Sequence, residues 1–150
     1  MFMENLPLIM TMCGIAVSIV LSGIGSARGA AMIGRAAAAL ISEQPEKFGQ
    51  SLVLQMMSAS QGLYGFIVSF FILMNIGNAI TFQSALSYLS AGLIMGLAGY
   101  LTAIQQSIAA TAGIQILAKK PEHSTKGVLY SAMIETYAIF AFVVSMLLIL

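Results

Sequence analysis

Leu40-Ile-Ser-Glu-Gln-Pro-Glu46 and Ile116-Leu-Ala-Lys-Lys-Pro-Glu122 are the two stretches of sequence that decide the fold. Each stretch ends a long helical pattern rich in small residues, and each is followed by a polar turn and a second apolar run. The two Pro-Glu pairs lie 76 residues apart. The chain is therefore predicted to be a duplicated helical hairpin, with one copy in residues 1–76 and the other in residues 77–150.

The composition indicates an integral membrane protein. Of the 150 residues, 59% are hydrophobic and 7% are charged, with a mean hydropathy of +0.97, and a soluble domain of this size cannot bury so much apolar surface. A net charge of +1 leaves no basic surface for nucleic acid. The single cysteine, Cys13, excludes an intrachain disulfide and forms no metal-binding set with the distant His123.

Four apolar runs have the length of a membrane span. They lie at about residues 8–40, 50–76, 82–117 and 128–150. Since about 20 residues of helix cross a bilayer core, the first and third runs are expected to tilt or to extend beyond the membrane. The predicted fold is an all-α membrane protein with four transmembrane helices. No signal peptide is expected, because the first apolar run is too long for one.

Basic residues mark the orientation of the helices. The first connection is flanked by Arg28, Arg35 and Lys47, and the third by Lys119, Lys120 and Lys126. The second connection, from Asn75 to Gln83, carries no charge. By the positive-inside rule, loops 41–50 and 118–127 are predicted to be cytoplasmic and both termini to lie outside the cell membrane.

Small residues dominate the first and third spans. Gly25-x-x-x-Gly29 and Gly92-x-x-x-Gly96 let helix backbones approach closely. The second and fourth spans carry bulkier side chains, so we expect an inner ring of odd-numbered helices surrounded by the even-numbered ones. The glycines of the first span have the wrong spacing for a nucleotide-binding loop, and no strand precedes them.

Glu135 is the only acidic residue in the apolar stretch from Gly127 to Leu150, which holds no Lys or Arg. Inserting a charged carboxylate near the middle of a bilayer costs roughly 2.5 to 3.5 kcal/mol on insertion scales, so such a residue marks an ion-handling site by default. The alternative is a permanently protonated Glu that is hydrogen-bonded between helices.

A second polar group lies on the second span. Met57, Ser60, Gln61 and Tyr64 follow the i, i+3, i+4, i+7 spacing of one helix face, and the third span adds Gln106, with Gln105 pointing elsewhere. Together with Glu135 they offer an all-oxygen shell of net charge −1, which suits Na⁺. A proton site needs fewer oxygens. The alternative is that Ser60, Gln61 and Gln106 only bond across helices.

Four motifs carry a family resemblance over essentially the whole chain. They are Gln44-Pro-Glu-Lys-Phe-Gly-Gln50, Gln61-Gly-Leu-Tyr-Gly-Phe66, Gly113-Ile-Gln-Ile-Leu-Ala-Lys-Lys-Pro-Glu122 and Glu135-Thr-Tyr-Ala-Ile139. The chain resembles the 16 kDa proteolipid (K subunit) of bacterial V-type ATPases, particularly the sodium-pumping kind. The resemblance implies a rotor ring of identical four-helix protomers, each carrying one ion, turned by ATP hydrolysis in other subunits. The chain itself would not be an enzyme.

The resemblance also implies a role for each site residue. Glu135 matches the ion-binding carboxylate, and Gln61 and Gln106 match the two amide ligands. Ser60 stands where sodium-binding members have Thr, Met57 occupies the position of a backbone carbonyl ligand, and Tyr64 matches the tyrosine that closes the site. Ser58-Ala59 replaces the Pro-Gly of the sodium-type pattern, and the loss of this helix-breaking pair, which could straighten the second helix, leaves the geometry of that helix open.

The resemblance implies several partners besides lipid and identical protomers. A stator subunit would present an essential arginine to Glu135, and central-stalk subunits would sit on the two cytoplasmic loops. Two alternatives remain open at this point. One is the same ring carrying H⁺, with Gln61 and Gln106 in structural roles. The other is a small four-helix cation or drug antiporter, which the chain resembles poorly because it has no Trp and its polar loops repeat.

Overall fold

The computed structural model describes residues 2–77 and 80–150, and this part of the chain is entirely helical apart from its connections. The helices are α1 (Phe2–Glu43), α2 (Phe48–Met56), α3 (Ser60–Asn75), α4 (Phe82–Lys119) and α5 (Ser124–Ile149). One turn of 3₁₀ helix, Met57–Ala59, joins α2 to α3 into a single span. Within the described ranges, four helical segments are long and apolar enough to cross a membrane, which confirms the predicted fold class.

The span boundaries follow the local sequence. α1 begins at Phe2 rather than near residue 8 and contains Pro7 in its second turn, where the missing N–H removes one helical hydrogen bond. Thr81 begins α4 with a capping box, in which its side chain accepts from the Ser84 N–H. The uncharged second connection includes residues 78 and 79, which lie outside the described residues.

The two polar turns have the same backbone geometry. Pro45–Lys47 and Pro121–His123 are each one turn of 3₁₀ helix with proline first. The residues that precede the prolines, Gln44 (φ −135°, ψ 70°) and Lys120 (φ −144°, ψ 78°), are both turned out of the helical region. Proline disfavours helical backbone in the residue before it, so α1 and α4 end at matching positions in the repeat.

The α1 and α4 helices form the centre of the bundle. α1 packs most extensively against α4, while α3 lies against α1 and α5 lies against α4. A Cβ atom on Gly25 would stand 2.6 Å from the Tyr100 Cα, and one on Gly92 would stand 2.7 Å from the Gly14 Cα. Side chains are therefore excluded at these crossings, as the small-residue motifs predict. The outward faces of α3 and α5 expose large apolar side chains such as Phe66 and Leu147, which suits contact with lipid.

The second span is not a regular α-helix at Ser58-Ala59. The helix still changes to 3₁₀ geometry at Met57–Ala59. Side chains satisfy the backbone groups around this change. The Gly62 N–H donates to Ser26 Oγ of α1 at 2.7 Å, and Ser60 Oγ donates to the Met57 carbonyl at 3.2 Å. Contact with α1 thus accompanies the break without a Pro-Gly pair.

Gly92→Ala is expected to destabilise the protein by roughly 1 to 3 kcal/mol, because the added methyl group meets backbone atoms of α1 that cannot move aside. Thermal unfolding of the purified protein in detergent measures this effect. Gly49→Ala is the matched control, since a Cβ atom at Gly49 has no neighbour within 4 Å. Equal stability of the two variants would contradict the close packing of α1 on α4.

Candidate ion-binding site

Glu135 lies near the middle of α5 and is partly buried on the side that faces α3 and α4. Both carboxylate oxygens accept hydrogen bonds. The Tyr64 hydroxyl of α3 donates to Oε1 at 2.9 Å, and the Gln106 amide of α4 donates from Nε2 to Oε2 at 3.4 Å. Three different helices therefore meet at this one side chain.

Two fully buried amides continue the network behind the carboxylate. Gln61 and Gln106 each have no exposed surface, and Gln61 Nε2 donates to Gln106 Oε1. Burial of an amide is tolerated only when its polar atoms are bonded, so each of these two residues depends on the other. Gln61 Oε1 in turn accepts from Ser60 Oγ at 3.4 Å.

The Met57 carbonyl forms the far end of the network. It accepts the hydroxyl of Ser60 and lies at the 3₁₀ turn between α2 and α3. A small cavity beside it is lined by Val53, Met56, Met57, Ser60 and Glu135. The structure thus brings together all six residues that the sequence analysis singled out. They are Met57, Ser60, Gln61, Tyr64, Gln106 and Glu135. Gln105 is exposed, as expected.

Arg28 does not serve as the partner of Glu135. Its guanidinium donates to the Tyr100 hydroxyl at 2.8 Å and lies over that ring, 5.9 Å from the centroid. Arg28 therefore does not balance the charge of an ionised Glu135, whereas a bound cation would balance it and a proton would remove it.

Two side chains that support the site were not identified from the sequence. Ser131 is buried one helical turn before Glu135, and its hydroxyl donates to the Gln106 carbonyl at 3.3 Å, which ties α5 to α4 beside the site. Phe142 packs on the ring of Tyr64 with centroids 5.2 Å apart. The i−4 position of Ser131 relative to Glu135 on an apolar helix was the available signal.

The arrangement can hold either a hard cation or a proton. The only atoms of the carboxylate, amide, hydroxyl and backbone carbonyl groups that can ligate a metal ion are oxygens, which are the ligands that alkali and alkaline-earth ions prefer. Gln106 presents its Nε2 to the carboxylate, and an amide nitrogen cannot ligate a cation. Cation binding therefore requires the amide of Gln106 to turn its oxygen toward the site.

Comparison with known proteins shows the family to which the chain belongs. The family of ATP synthase C subunits matches residues 13–72 and again residues 89–148. The chain therefore belongs to this family and is a non-catalytic, ion-translocating rotor component of a rotary complex. The two matches also confirm the internal duplication.

Particular relatives extend this match over the whole chain. The V-type sodium ATPase subunit K of Enterococcus hirae is 49% identical over 147 residues, which cover 98% of this chain and 94% of that protein. The A-type ATP synthase subunit K of Methanocaldococcus jannaschii is 37% identical over 142 residues, covering 95% of this chain and 62% of that protein. As a member of this family, the chain is a multi-pass membrane subunit. The comparisons give no support to the antiporter alternative.

Tyr64→Phe is expected to raise the rate at which a hydrophobic carbodiimide modifies Glu135 by about tenfold. The reagent attacks the protonated acid, and loss of a hydrogen bond to a charged carboxylate, about 1.5 to 3 kcal/mol, weakens the hold on the ionised form. Labelling followed by mass spectrometry measures the rate. Tyr137→Phe is the matched control, because Tyr137 is 66% exposed on the outer side of α5. Unchanged labelling in Tyr64→Phe would contradict the closing role of Tyr64.

Proposed function

We propose that this chain is a rotor-ring subunit that binds one Na⁺ at Glu135 and carries it across the membrane while ATP hydrolysis in partner subunits turns the ring. The observation that carries the proposal is the convergence of oxygen-bearing groups from three helices on Glu135. The chain would supply the ion site, and partner subunits would supply the ATP chemistry.

The number of polar groups favours Na⁺ over H⁺. Tyr64 and Gln106 alone would suffice to hold a protonated Glu135. The network also includes Gln61, Ser60 and the Met57 carbonyl, which a protonated carboxylate does not require. Burying the amide of Gln61 carries a desolvation cost. Their presence is explained if their oxygens take the place of the water shell of a cation. The name of the Enterococcus hirae relative, a sodium ATPase subunit, points the same way.

The proposed transport cycle follows from the charge balance at Glu135. With Na⁺ bound to an ionised Glu135, the site is neutral overall and can face lipid while the ring turns. At the stator, an arginine of another subunit would compete for the carboxylate and release the ion into an aqueous path. Gln106 and Gln61 would turn together during loading, because their amides are hydrogen-bonded to each other.

The two polar turns support the proposed orientation. The Lys47 ammonium bonds to the carbonyls of Leu117 and Ala118, so both turns lie at the same end of the bundle. This end carries Lys119, Lys120 and Lys126, and we place it in the cytoplasm, with both termini outside. Loops 41–50 and 118–127 would then meet the central stalk, while identical protomers and lipid cover the sides of each protomer.

Na⁺ is expected to protect Glu135 from a hydrophobic carbodiimide in the purified protein, and the protection is expected to strengthen as the pH rises. The reagent consumes the protonated acid, and Na⁺ competes with the proton for the same carboxylate. The labelling rate, measured with and without Na⁺ across pH, tests the choice of ion. Labelling that follows a simple titration and ignores Na⁺ would assign the ring to H⁺ instead.

Glu135→Gln is expected to abolish ion transport by the reconstituted complex while leaving the ring assembled, since an amide has nearly the same shape and cannot carry the charge that binds a cation. Na⁺ uptake into vesicles and the size of the ring are the two readouts. Glu122→Gln is the matched control, because Glu122 is exposed in the second polar turn. A Glu135→Gln complex that pumps at the normal rate would reject Glu135 as the carrier.

A further inference from the structure

The buried ammonium group of Lys47 bonds to backbone carbonyls of α4 within the protomer. It is 8% exposed, and its Nζ donates to the carbonyls of Leu117 and Ala118, both at 3.0 Å. The Leu117 carbonyl lacks its helical partner, because the residue four positions later is Pro121, which has no N–H. Lys47 of the first repeat therefore caps the end of α4 in the second repeat.

A proline at the corresponding position of the first repeat also leaves a backbone carbonyl without a helical donor. Pro45 stands four residues after Ile41, so the Ile41 carbonyl at the end of α1 has no helical donor either. The family matches begin at residues 13 and 89, a spacing of 76, and this spacing pairs Pro45 with Pro121. It also pairs Lys47 with His123, and each of these is the last residue of its 3₁₀ turn.

The exposed face of α1 corresponds to a buried face of α4. Met95 and Ala103 of α4 have no exposed surface. Their counterparts on α1 at the same spacing are Ile19, which is 38% exposed, and Ala27, which is also exposed. Within a single protomer, this face is therefore covered in the second repeat, on α4, and uncovered in the first repeat, on α1.

A groove on the second repeat is the complementary surface. It is lined by Ala112, Gln115, Ile116, Lys119, Lys120 and Tyr130. The counterparts of Ala112 and Ile116 in the first repeat are Ala36 and Leu40, which pack in a cluster that includes Leu117 of α4. In the first repeat, α4 of the same protomer packs on these two residues. In the second repeat, the corresponding surface is the open groove.

We propose that the next copy of this chain fills the groove, and that His123 of one protomer donates a ring N–H to the Ile41 or Ser42 carbonyl of the next. This proposal rests on the ring of the proposed function. The contact between protomers then repeats the contact within a protomer, with His123 in the place of Lys47. A second copy is the occupant because it alone continues the packing of the first repeat on the second.

Cross-linking tests the contact directly in the full-length ring. In a Cys13→Ser background, Ser42→Cys combined with His123→Cys is expected to give a ladder of covalent dimers, trimers and larger species with a short bis-thiol reagent. Lys47→Cys combined with Ala118→Cys is the matched control and is expected to link within one protomer only, leaving a monomer on a denaturing gel. A monomer from the first pair as well would overturn the proposal.

Ring stability tests the role of His123. His123→Ala is expected to lower by a few degrees the temperature at which the detergent-solubilised ring dissociates into monomers, and His123→Lys is expected to restore it, because lysine performs this task in the first repeat. Lys126→Ala, an exposed change on the same connection, is expected to leave the temperature unchanged. Equal dissociation temperatures for wild type and His123→Ala would reject the cap.

The outcome is separable from that of the proposed function. A covalent ladder with no Na⁺ effect on Glu135 labelling supports this interface and rejects only the choice of ion. Na⁺ protection of Glu135 with no ladder supports the ion site and rejects only this interface.

Discussion

A carboxylate inside an apolar helix must be compensated, and the rest of the structure can be understood from this requirement. Glu135 on α5 obtains a hydroxyl from α3 and an amide from α4. An isolated hairpin would offer Glu135 only one neighbouring helix. Within this chain the site therefore forms where the two repeats pack on each other, so the hydrogen bonds of Glu135 join the two copies of the hairpin.

The backbone contacts between α1 and α4 support that arrangement. Glycines at this crossing bring the two central helices close together, and α3 and α5 are then held on either side. The 3₁₀ turn at Met57–Ala59 brings the Met57 carbonyl and the Ser60 hydroxyl into the same small cavity as Glu135. The close packing of α1 on α4 fixes the distance between the two central helices, whereas the 3₁₀ turn changes the direction of backbone oxygens on the second span.

Much of this fold could be predicted from the sequence. Two Pro-Glu turns and four apolar runs define the spans, because proline and hydrocarbon impose local constraints that any neighbouring structure must respect. The residues on the second span were found by helical spacing, Glu135 by its lone charge in an apolar stretch and Gln106 by its amide on the third span, and the resemblance then implied a role for each. The geometry of the second span at Ser58-Ala59 could not be predicted, since the contact between Gly62 and Ser26 depends on how α1 is rotated. The Lys47 cap and the Ser131 bond were missed for the same reason, because each joins residues on different helices.

The difference between the two repeats has a consequence for energy conversion. The second span, residues 50–76, holds no acidic residue, so the two hairpins share the single carboxylate of Glu135. Under the proposed function, a ring built from such protomers would move one ion for every four helices that pass the stator. For a fixed amount of ATP hydrolysed per revolution, the free energy available to each ion is about twice that in a ring of the same circumference with an acid on every hairpin. Under the proposed function, a single acid for every two hairpins would therefore favour transport against a steep gradient over the transport of many ions.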